Sequence, residues 1–109
     1  MTRSTDRIPP APETAEIALQ TVLEALADPV RRSIVAQLDA ASADISCGSF
    51  ELPVARSTAT HHFNVLRDAG IIQQYYVRTS RMNRLRRTDL DETFPGLLDA
   101  CLRAVNSGH

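Results

Sequence analysis

The sequence predicts a mostly α-helical domain that carries a single β-hairpin near its C-terminal end. Apolar residues recur with helical spacing along most of the chain, whereas the runs Ile71–Arg78 and Met82–Arg87 together have the Ile, Tyr and Val content of strands. The chain has 109 residues, 43% hydrophobic and 23% charged, as in one small globular domain. We therefore expect one domain over residues 14–106, preceded by a flexible, proline-rich N-terminal tail over residues 1–13.

The first two helices follow from apolar periodicity and a capping signal. Apolar residues between Thr14 and Ala27 form one stripe of helical period. Asp28 then provides an N-cap and Pro29 suits the first helical position, so a second helix is expected from Pro29 to about Ala40. The predicted core residues of this second helix are Val30, Ile34, Val35 and Leu38.

The middle of the chain predicts a short helix followed by a longer, polar one. Residues 41–49 form a connector of small residues with a short extended piece. Phe50–Val54 is predicted to be a single helical turn that a proline interrupts. The polar helix is then expected over Arg56–Ala69, with Gly70 as the left-handed residue that ends it. Its predicted inner face consists of Ala59, His62, Phe63 and Leu66.

The last third predicts the hairpin and two further helical segments. The strands are expected to join across a basic turn at residues 79–81. Thr88 is the expected cap of a brief helical turn, and Pro95 is expected to begin a final helix that ends near Asn106. The order helix, helix, short helix, helix, hairpin, helix is that of a winged helix-turn-helix, whose longer polar helix lies in the DNA major groove.

A concentrated positive block covers the polar helix and the hairpin. Residues 53–88 contain seven of the twelve arginines and one acid, Asp68, so this window carries about +6 although the whole chain carries −1. A charge cluster of this sign suits a polyanionic partner. Together with the small polar side chains of the helix, it predicts binding of double-stranded DNA.

Nine residues are candidates for contact with DNA. In the polar helix, Arg56 can reach a guanine edge, Asn64 an adenine edge, and the hydroxyl side chains either bases or phosphates. The hairpin arginines that flank the turn can reach phosphates or a narrow minor groove. Because strand side chains alternate, at least one hairpin arginine is expected to support the dimer or pair with an acid instead. The nine are Arg56, Ser57, Thr58, Thr60, His61, Asn64, Arg78, Arg81 and Arg84.

Neither a catalytic site nor a metal site is predicted. His61 and His62 are neighbours, so on a helix they diverge by about 100° and cannot share a metal. His62 is expected to be a hydrogen-bonded structural residue on the inner side. Cys47 and Cys101 are expected to be small buried thiols, with a redox switch across a dimer as the open alternative. The sequence contains no glycine-rich phosphate loop and no nucleophile with an identifiable base, so we expect no enzyme and no cofactor.

Three segments of the chain resemble the ArsR family of bacterial winged-helix repressors. They are residues 26–35 (LADPVRRSIV), residues 57–72 (STATHHFNVLRDAGII) and the arginine-rich hairpin, and the resemblance covers roughly residues 20–105. It implies a homodimer built on the first and last helices, an operator with two-fold symmetry, and repression that an inducer relieves.

The chain departs from the family pattern at the hairpin turn, the helix cap and the ligand positions. Its turn reads Thr79-Ser80 where the family commonly has glycine, and Ala55 stands where the family often has a capping Ser or Thr, leaving Ser57 as the substitute cap. Metal-sensing members carry several ligands at the short helix or on the last helix. Each stretch here has one thiol, Cys47 or Cys101, which is too few for a soft-metal site. The resemblance therefore implies no metal inducer.

The sequence thus predicts a cytoplasmic, homodimeric transcriptional repressor that binds double-stranded DNA. No run of eighteen apolar residues occurs, so no transmembrane helix is expected. The alternative is a winged-helix module that binds proteins and does not read DNA sequence. The uneven charge and the polar run of residues 57–62 argue against that alternative.

Overall fold

The computed structural model describes residues 8–108, which form five α-helices and one three-stranded antiparallel sheet. Residues 1–7 of the expected N-terminal tail lie outside this range. The strands follow the sheet order β1-β3-β2. The predicted class, mostly α with a β-hairpin wing, is confirmed. The elements are α1 (Leu19–Leu26), α2 (Pro29–Ala41), β1 (Ile45–Ser46), α3 (Arg56–Asp68), β2 (Ile72–Val77), β3 (Ser80–Leu85), α4 (Arg87–Thr93) and α5 (Leu97–Asn106), with 3-10 turns at Thr14–Glu16 and Cys47–Ser49.

The first helix is shorter than predicted, because the segment before it packs separately. Thr14–Glu16 form a single 3-10 turn, and Ile17 is then extended at φ −71° and ψ 119°. Its buried side chain occupies the space that a side chain at Gly70 would need: a Cβ there would lie 2.6 Å from Ile17 Cγ1. Helix α1 therefore begins only at Leu19.

Helix α2 begins where the capping signal predicts. The Asp28 carboxylate accepts hydrogen bonds from the backbone N–H groups of Val30 (2.8 Å) and Arg31 (3.2 Å), and Pro29 occupies the first helical position. Val30 is only half-buried. The other predicted core residues of α2 are buried, namely Ile34, Val35 and Leu38.

The short helix predicted over Phe50–Val54 is wrong. The helical turn lies earlier, at Cys47–Ser49; Phe50 is extended (φ −81°, ψ 147°), and no residue from Phe50 to Val54 is helical. The side chain of Gln37 takes the place of helical bonding here, because it donates to the Glu51 carbonyl and accepts from the Glu51 N–H, both at 3.0 Å. Phe50 still packs on the core, with its ring centroid 5.1 Å from that of Phe63.

Helix α3 and the residue that ends it match the prediction closely. The helix spans Arg56–Asp68, and Gly70 has a φ of 83°, which only glycine adopts at little cost. The inner face is the one expected from the sequence. Its buried members are Ala59, His62, Phe63 and Leu66, and Arg67 is buried beside them.

The hairpin turn is tighter than predicted. Val77 pairs with Ser80, so only Arg78 and Thr79 lie outside the ladder, and Arg81 belongs to β3 rather than to the turn. Arg78 takes the positive φ of 57° that a two-residue turn requires. The absent glycine is therefore replaced by an arginine in a left-handed conformation, at a cost of about 1–2 kcal/mol.

The C-terminal helices each begin two residues from the predicted position. Helix α4 begins at Arg87 with Arg86 at the N-cap, so Thr88 is not the cap. Helix α5 begins at Leu97 rather than at Pro95, because Gly96 adopts a φ of 85°. In the described part of the chain, no helix is both long and apolar enough to cross a membrane. The sheet, α3 and the flanking helices share one core that includes Leu26, Ile34, Leu66, Ile71 and Leu98.

Candidate nucleic-acid interface

The outer face of α3 is polar and open to solvent. With the inner residues packed on α1, α2 and the sheet, the opposite side of the helix projects away from the domain. The Thr60 hydroxyl donates to the Arg56 carbonyl at 3.0 Å, so its lone pairs are left for an external donor. The exposed predicted site residues on this face are Arg56, Ser57, Thr58, Thr60 and His61.

The start of α3 has no side-chain cap. Ala55 occupies the N-cap, and no side chain of the described residues accepts from the first-turn N–H groups, so Ser57 does not act as the substitute cap. The first N–H groups of a helix carry partial positive charge and lack intrahelical partners. This end of α3 can therefore accept an anionic group next to Arg56.

The two neighbouring histidines have different environments. His62 is buried, and the guanidinium of Arg31 lies 3.1 Å from its Nδ1. A guanidinium only donates, so Nδ1 is the acceptor and the proton of the neutral ring is on Nε2. The expected structural role of His62 is confirmed, while His61 is exposed on the outer face.

Asn64 is half-buried at the far end of the outer face. Its Oδ1 accepts a hydrogen bond of 2.9 Å from Nη1 of Arg67. Arg67 belongs to the basic block, but its side chain is buried and is not available to a partner. Sequence periodicity missed this residue because arginine is rarely buried.

The hairpin arginines stand in three different settings. Arg78 is exposed at the turn. The guanidinium of Arg81 lies 5.8 Å from the ring centroid of Tyr76, within the range of a cation–π contact. Arg84 pairs with Asp44 at 3.1 Å, although 56% of its side chain is exposed.

Ion pairs divide the basic block into neutralised and unpaired arginines. In residues 8–108, no carboxylate forms an ion pair with Arg56, Arg78 or Arg81, which come from α3 and the hairpin. The expectation that at least one hairpin arginine pairs with an acid is confirmed. The paired members are Arg67 (with Asp68), Arg84 (with Asp44), Arg86 (with Asp89) and Arg87 (with Asp39, Asp91 and Asp99).

The pairing at Asp44 fixes the base of the wing. The hydroxyl of Tyr75 donates to this carboxylate, and so does the guanidinium of Arg84. The bond from Tyr75, together with that from Arg84, holds the pKa of Asp44 below its ordinary value. The same bond raises the pKa of the Tyr75 hydroxyl. Arg84 is therefore part of a structural network as well as a candidate contact.

A cleft of about 160 Å³ brings the helix and the wing together. Its walls include Arg56 and Thr60 of α3, and Arg81 of β3. Phe63 and Cys47 also line it. Arg56 and Arg81, which are 25 positions apart in the chain, thus share one surface. We call this surface the reading cleft.

Neither cysteine belongs to a metal-binding group. Among the described residues, no three His, Cys, Asp or Glu side chains are grouped closely enough to hold a metal ion. Cys47 and Cys101 are free and half-buried. The Cys47 sulfur accepts a hydrogen bond of 3.2 Å from Nδ2 of Asn83, which is fully buried.

Comparisons with known proteins agree on one class. Residues 28–74 match the family described as "Bacterial regulatory protein, arsR family". An uncharacterized HTH-type transcriptional regulator, YceK of Bacillus subtilis (strain 168), is 28% identical over 80 residues, which are 72% of this chain and 80% of that protein. The solved structure of an ArsR-like transcriptional regulator from Rhodococcus sp. RHA1 is 28% identical and superposes with a TM-score of 0.58, covering 82% of this chain and 90% of that one.

Proposed function

We propose that this chain, whose residues 28–74 match the arsR family model, is a homodimeric repressor that binds a two-fold symmetric DNA operator. The observation that carries the proposal is the reading cleft, where Arg56 and Arg81 lie together without carboxylate partners in the described chain. The family consists of transcriptional regulators rather than enzymes. We propose that the chain acts in the bacterial cytoplasm, where the chromosome lies.

Helix α3 is proposed to lie in the major groove. The groove of B-DNA is about 12 Å wide and admits one helix with its side chains. Arg56 is positioned to donate to the O6/N7 edge of guanine, and Ser57, Thr60 and His61 to contact neighbouring bases. Thr58 lies next to the uncapped helix start, so we assign it to a phosphate.

The wing is proposed to hold the phosphates beside that groove. Arg78 at the turn and Arg81 beside the reading cleft carry charge that no acid of the described chain offsets. Arg84 contributes less, since Asp44 already compensates its charge. Phosphate contacts of this kind set the register of the protein on DNA without selecting a sequence.

The dimer is proposed to form through α1 and α5. On α1, Leu19 and Leu23 are 47% and 44% exposed, one turn apart on the same side of the helix. Two exposed leucines on a helix whose other apolar residues, Val22, Ala25 and Leu26, are buried are suited to a partner helix. Two subunits would place their α3 helices about one DNA turn, roughly 34 Å, apart.

An inducer is proposed to act by population shift. A ligand that binds better to a dimer whose α3 helices are wrongly spaced would weaken operator binding by its differential affinity for the two geometries.

A protein-binding winged helix is the second candidate. The observation that favours it is the pairing of four of the seven block arginines with carboxylates. Such a module would bind DNA weakly, with the same affinity for every sequence and with strong sensitivity to salt.

Selection from a random duplex library separates the two candidates. The protein is incubated with the library near physiological salt, bound duplexes are sequenced, and binding to the enriched site is measured by fluorescence anisotropy. The repressor proposal predicts a symmetric enriched motif that binds at least about 10³ times more tightly than scrambled DNA. An unenriched library would contradict the proposal and favour the protein-binding module.

A further inference from the structure

A chain of polar side chains, all buried except the half-buried Asn64, runs from α3 through the whole sheet. Nη1 of Arg67 donates to Oδ1 of Asn64 at 2.9 Å and to Oε1 of Gln74 at 3.1 Å. Nε2 of Gln74 donates to Oδ1 of Asn83 at 2.8 Å. Asn83 is fully buried and its Nδ2 donates to the Ile45 carbonyl at 3.1 Å. We call this chain the amide relay.

The chemistry of its two ends fixes the direction of every bond in the amide relay. A guanidinium has donors only, so Asn64 and Gln74 must both turn their oxygens toward Arg67. The NH₂ group of Gln74 then faces Asn83, which must present its oxygen. At the other end, the Ile45 carbonyl can only accept, which agrees with the NH₂ group of Asn83 facing it. No amide in the relay can flip without losing one of these hydrogen bonds.

Arg67 is held too firmly to act as a DNA contact itself. Only 5% of the residue is exposed, and its Nη2 also pairs with Asp68 at 3.1 Å. Gln74 and Asn83 are direct partners across β2 and β3, so the relay anchors Arg67 to the base of the wing. The position of Asn64 therefore depends on the wing as well as on its own helix.

We propose that Arg67 is a positioning residue that turns the NH₂ group of Asn64 toward DNA and so favours a base edge rich in acceptors. The Oδ1 of Asn64 faces Arg67, and no group in residues 8–108 accepts a hydrogen bond from Nδ2. A guanine edge offers the acceptors O6 and N7, whereas the adenine edge expected for Asn64 from the sequence needs a donor and an acceptor from the same amide. The inference rests on the proposed function and specifies the base that Asn64 reads.

Arg67→Gln tests the positioning role on DNA. A glutamine can donate or accept, so it no longer forces one orientation of the Asn64 amide. The base pair that Asn64 reads is first identified as the one whose preference is lost in Asn64→Ala. At this pair, we expect wild type to prefer guanine by about tenfold or more, and Arg67→Gln to lose that preference. Preference at the pair read by Arg56 should remain.

Asp68→Asn is the matched control. It removes the charged partner of Arg67 but leaves the bond from Arg67 to Asn64, so the base preferences should not change. If Arg67→Gln fails to fold, Asn64→Asp replaces it, because a carboxylate still accepts from Arg67 but offers no donor to DNA. Loss of the guanine preference in this variant is expected. A guanine preference that survives Arg67→Gln or Asn64→Asp, or an adenine preference in wild type, would overturn the inference.

An experiment without DNA keeps this inference separate from the repressor proposal. In ¹H–¹⁵N spectra of the free protein, the NH₂ protons of Gln74 should exchange slowly with water and those of Asn64 rapidly. Arg67→Gln should shift the Gln74 and Asn64 amide signals together. Protection of the Asn64 NH₂ group in wild type would overturn the assigned orientation even if the protein binds DNA. If the NH₂ protons of Gln74 exchange slowly and those of Asn64 rapidly, but the protein does not bind DNA, only the repressor proposal is overturned.

Discussion

At the scale of single residues, charge pairing separates the arginines that are left for a partner from those that carboxylates already neutralise. The sequence predicts a block of about +6, but the acids that neutralise four of its seven arginines lie mostly outside the block. The alternation of side chains along the hairpin strands cannot reveal these pairs, because the acids come from segments that are distant in sequence from the hairpin. These acids are Asp39, Asp44 and Asp99. The outer face of α3 was predictable, since the helical period places its polar residues opposite Phe63 and Leu66.

Substitution of the unpaired arginines should separate base reading from phosphate binding. Arg56→Ala is expected to lower discrimination at one base pair of each half-site by about 1–3 kcal/mol. Arg81→Ala is expected to weaken every duplex alike and to lower the salt dependence by about one charge. Anisotropy titrations on matched and mismatched duplexes at several salt concentrations measure both.

Arg84→Ala is the control for these substitutions. Because Asp44 offsets the charge of Arg84, its loss should weaken binding less than that of Arg81. Equal effects of Arg81→Ala and Arg84→Ala would contradict the division between paired and unpaired arginines.

Gly70 should be intolerant of a side chain for two separable reasons. Its φ is 83°, and an added Cβ would lie 2.6 Å from Ile17 Cγ1. Gly70→Ala is expected to lower the free energy of unfolding by about 2–4 kcal/mol, from backbone strain and overpacking together. Gly96 has a similar φ of 85° with nothing within 4 Å, so Gly96→Ala should cost only about 1–2 kcal/mol. Urea unfolding of both variants measures the difference, and equal losses would rule out the packing contribution.

At the scale of secondary-structure elements, the sequence predicted the helix boundaries that local residue types determine. It did not predict the features that depend on contacts between distant segments. Asp28 and Pro29 set the start of α2, and Gly70 set the end of α3, as their types indicate. Where the helical turn was expected, the Gln37 side chain of α2 instead bonds both backbone groups of Glu51, a tertiary contact that local signals do not contain. The amide relay was also not predicted from the sequence. The signal that could have revealed it is the presence of polar Gln74 and Asn83 at inward-facing strand positions.

Acid should loosen the contact between α4 and the N-terminal segment. Asp89 accepts from Nε of Arg86 and from the Thr14 hydroxyl, both at 2.9 Å, and the bond from Arg86, then that from Thr14, lowers the pKa of Asp89. A carboxylate whose pKa is lower in the folded state stabilises the fold above its unfolded pKa of about 3.9, and this contribution is lost as pH falls through the folded pKa.

Asp89→Asn provides the test of that contact. At pH 7 the variant should be less stable than wild type by about 1 kcal/mol. The gap should close as the pH is lowered below about 4, because the wild-type carboxyl then becomes neutral. Urea unfolding across this pH range checks the expectation, and a gap that stays constant would mean that the charge of Asp89 contributes nothing.

At the scale of the whole molecule, the domain exposes two surfaces of different chemistry. One is the reading cleft with its unpaired arginines, and the other is the apolar side of α1 at Leu19 and Leu23. The resemblance seen in the sequence implied both a DNA surface and a dimer. An isolated subunit can carry the first surface, but only a dimer can match an operator with two half-sites.

A charge on the apolar side of α1 should dissociate the proposed dimer. Leu23→Glu is expected to yield monomers in sedimentation velocity and to weaken operator binding by at least about tenfold, because each subunit then binds one half-site alone. Thr21→Glu places the same charge on the same helix at another exposed position and should leave the dimer intact. A dimeric Leu23→Glu would exclude this side of α1 from the interface.

The spacing of half-sites tests the account most directly. The enriched duplex is compared, by competition anisotropy, with a version in which about five base pairs are inserted between the half-sites, turning them to opposite faces of the DNA. We expect the insertion to weaken binding at least about a hundredfold, while the insertion of about ten base pairs restores part of the affinity. Equal affinity for all three duplexes would contradict a dimer that reads two half-sites with paired α3 helices.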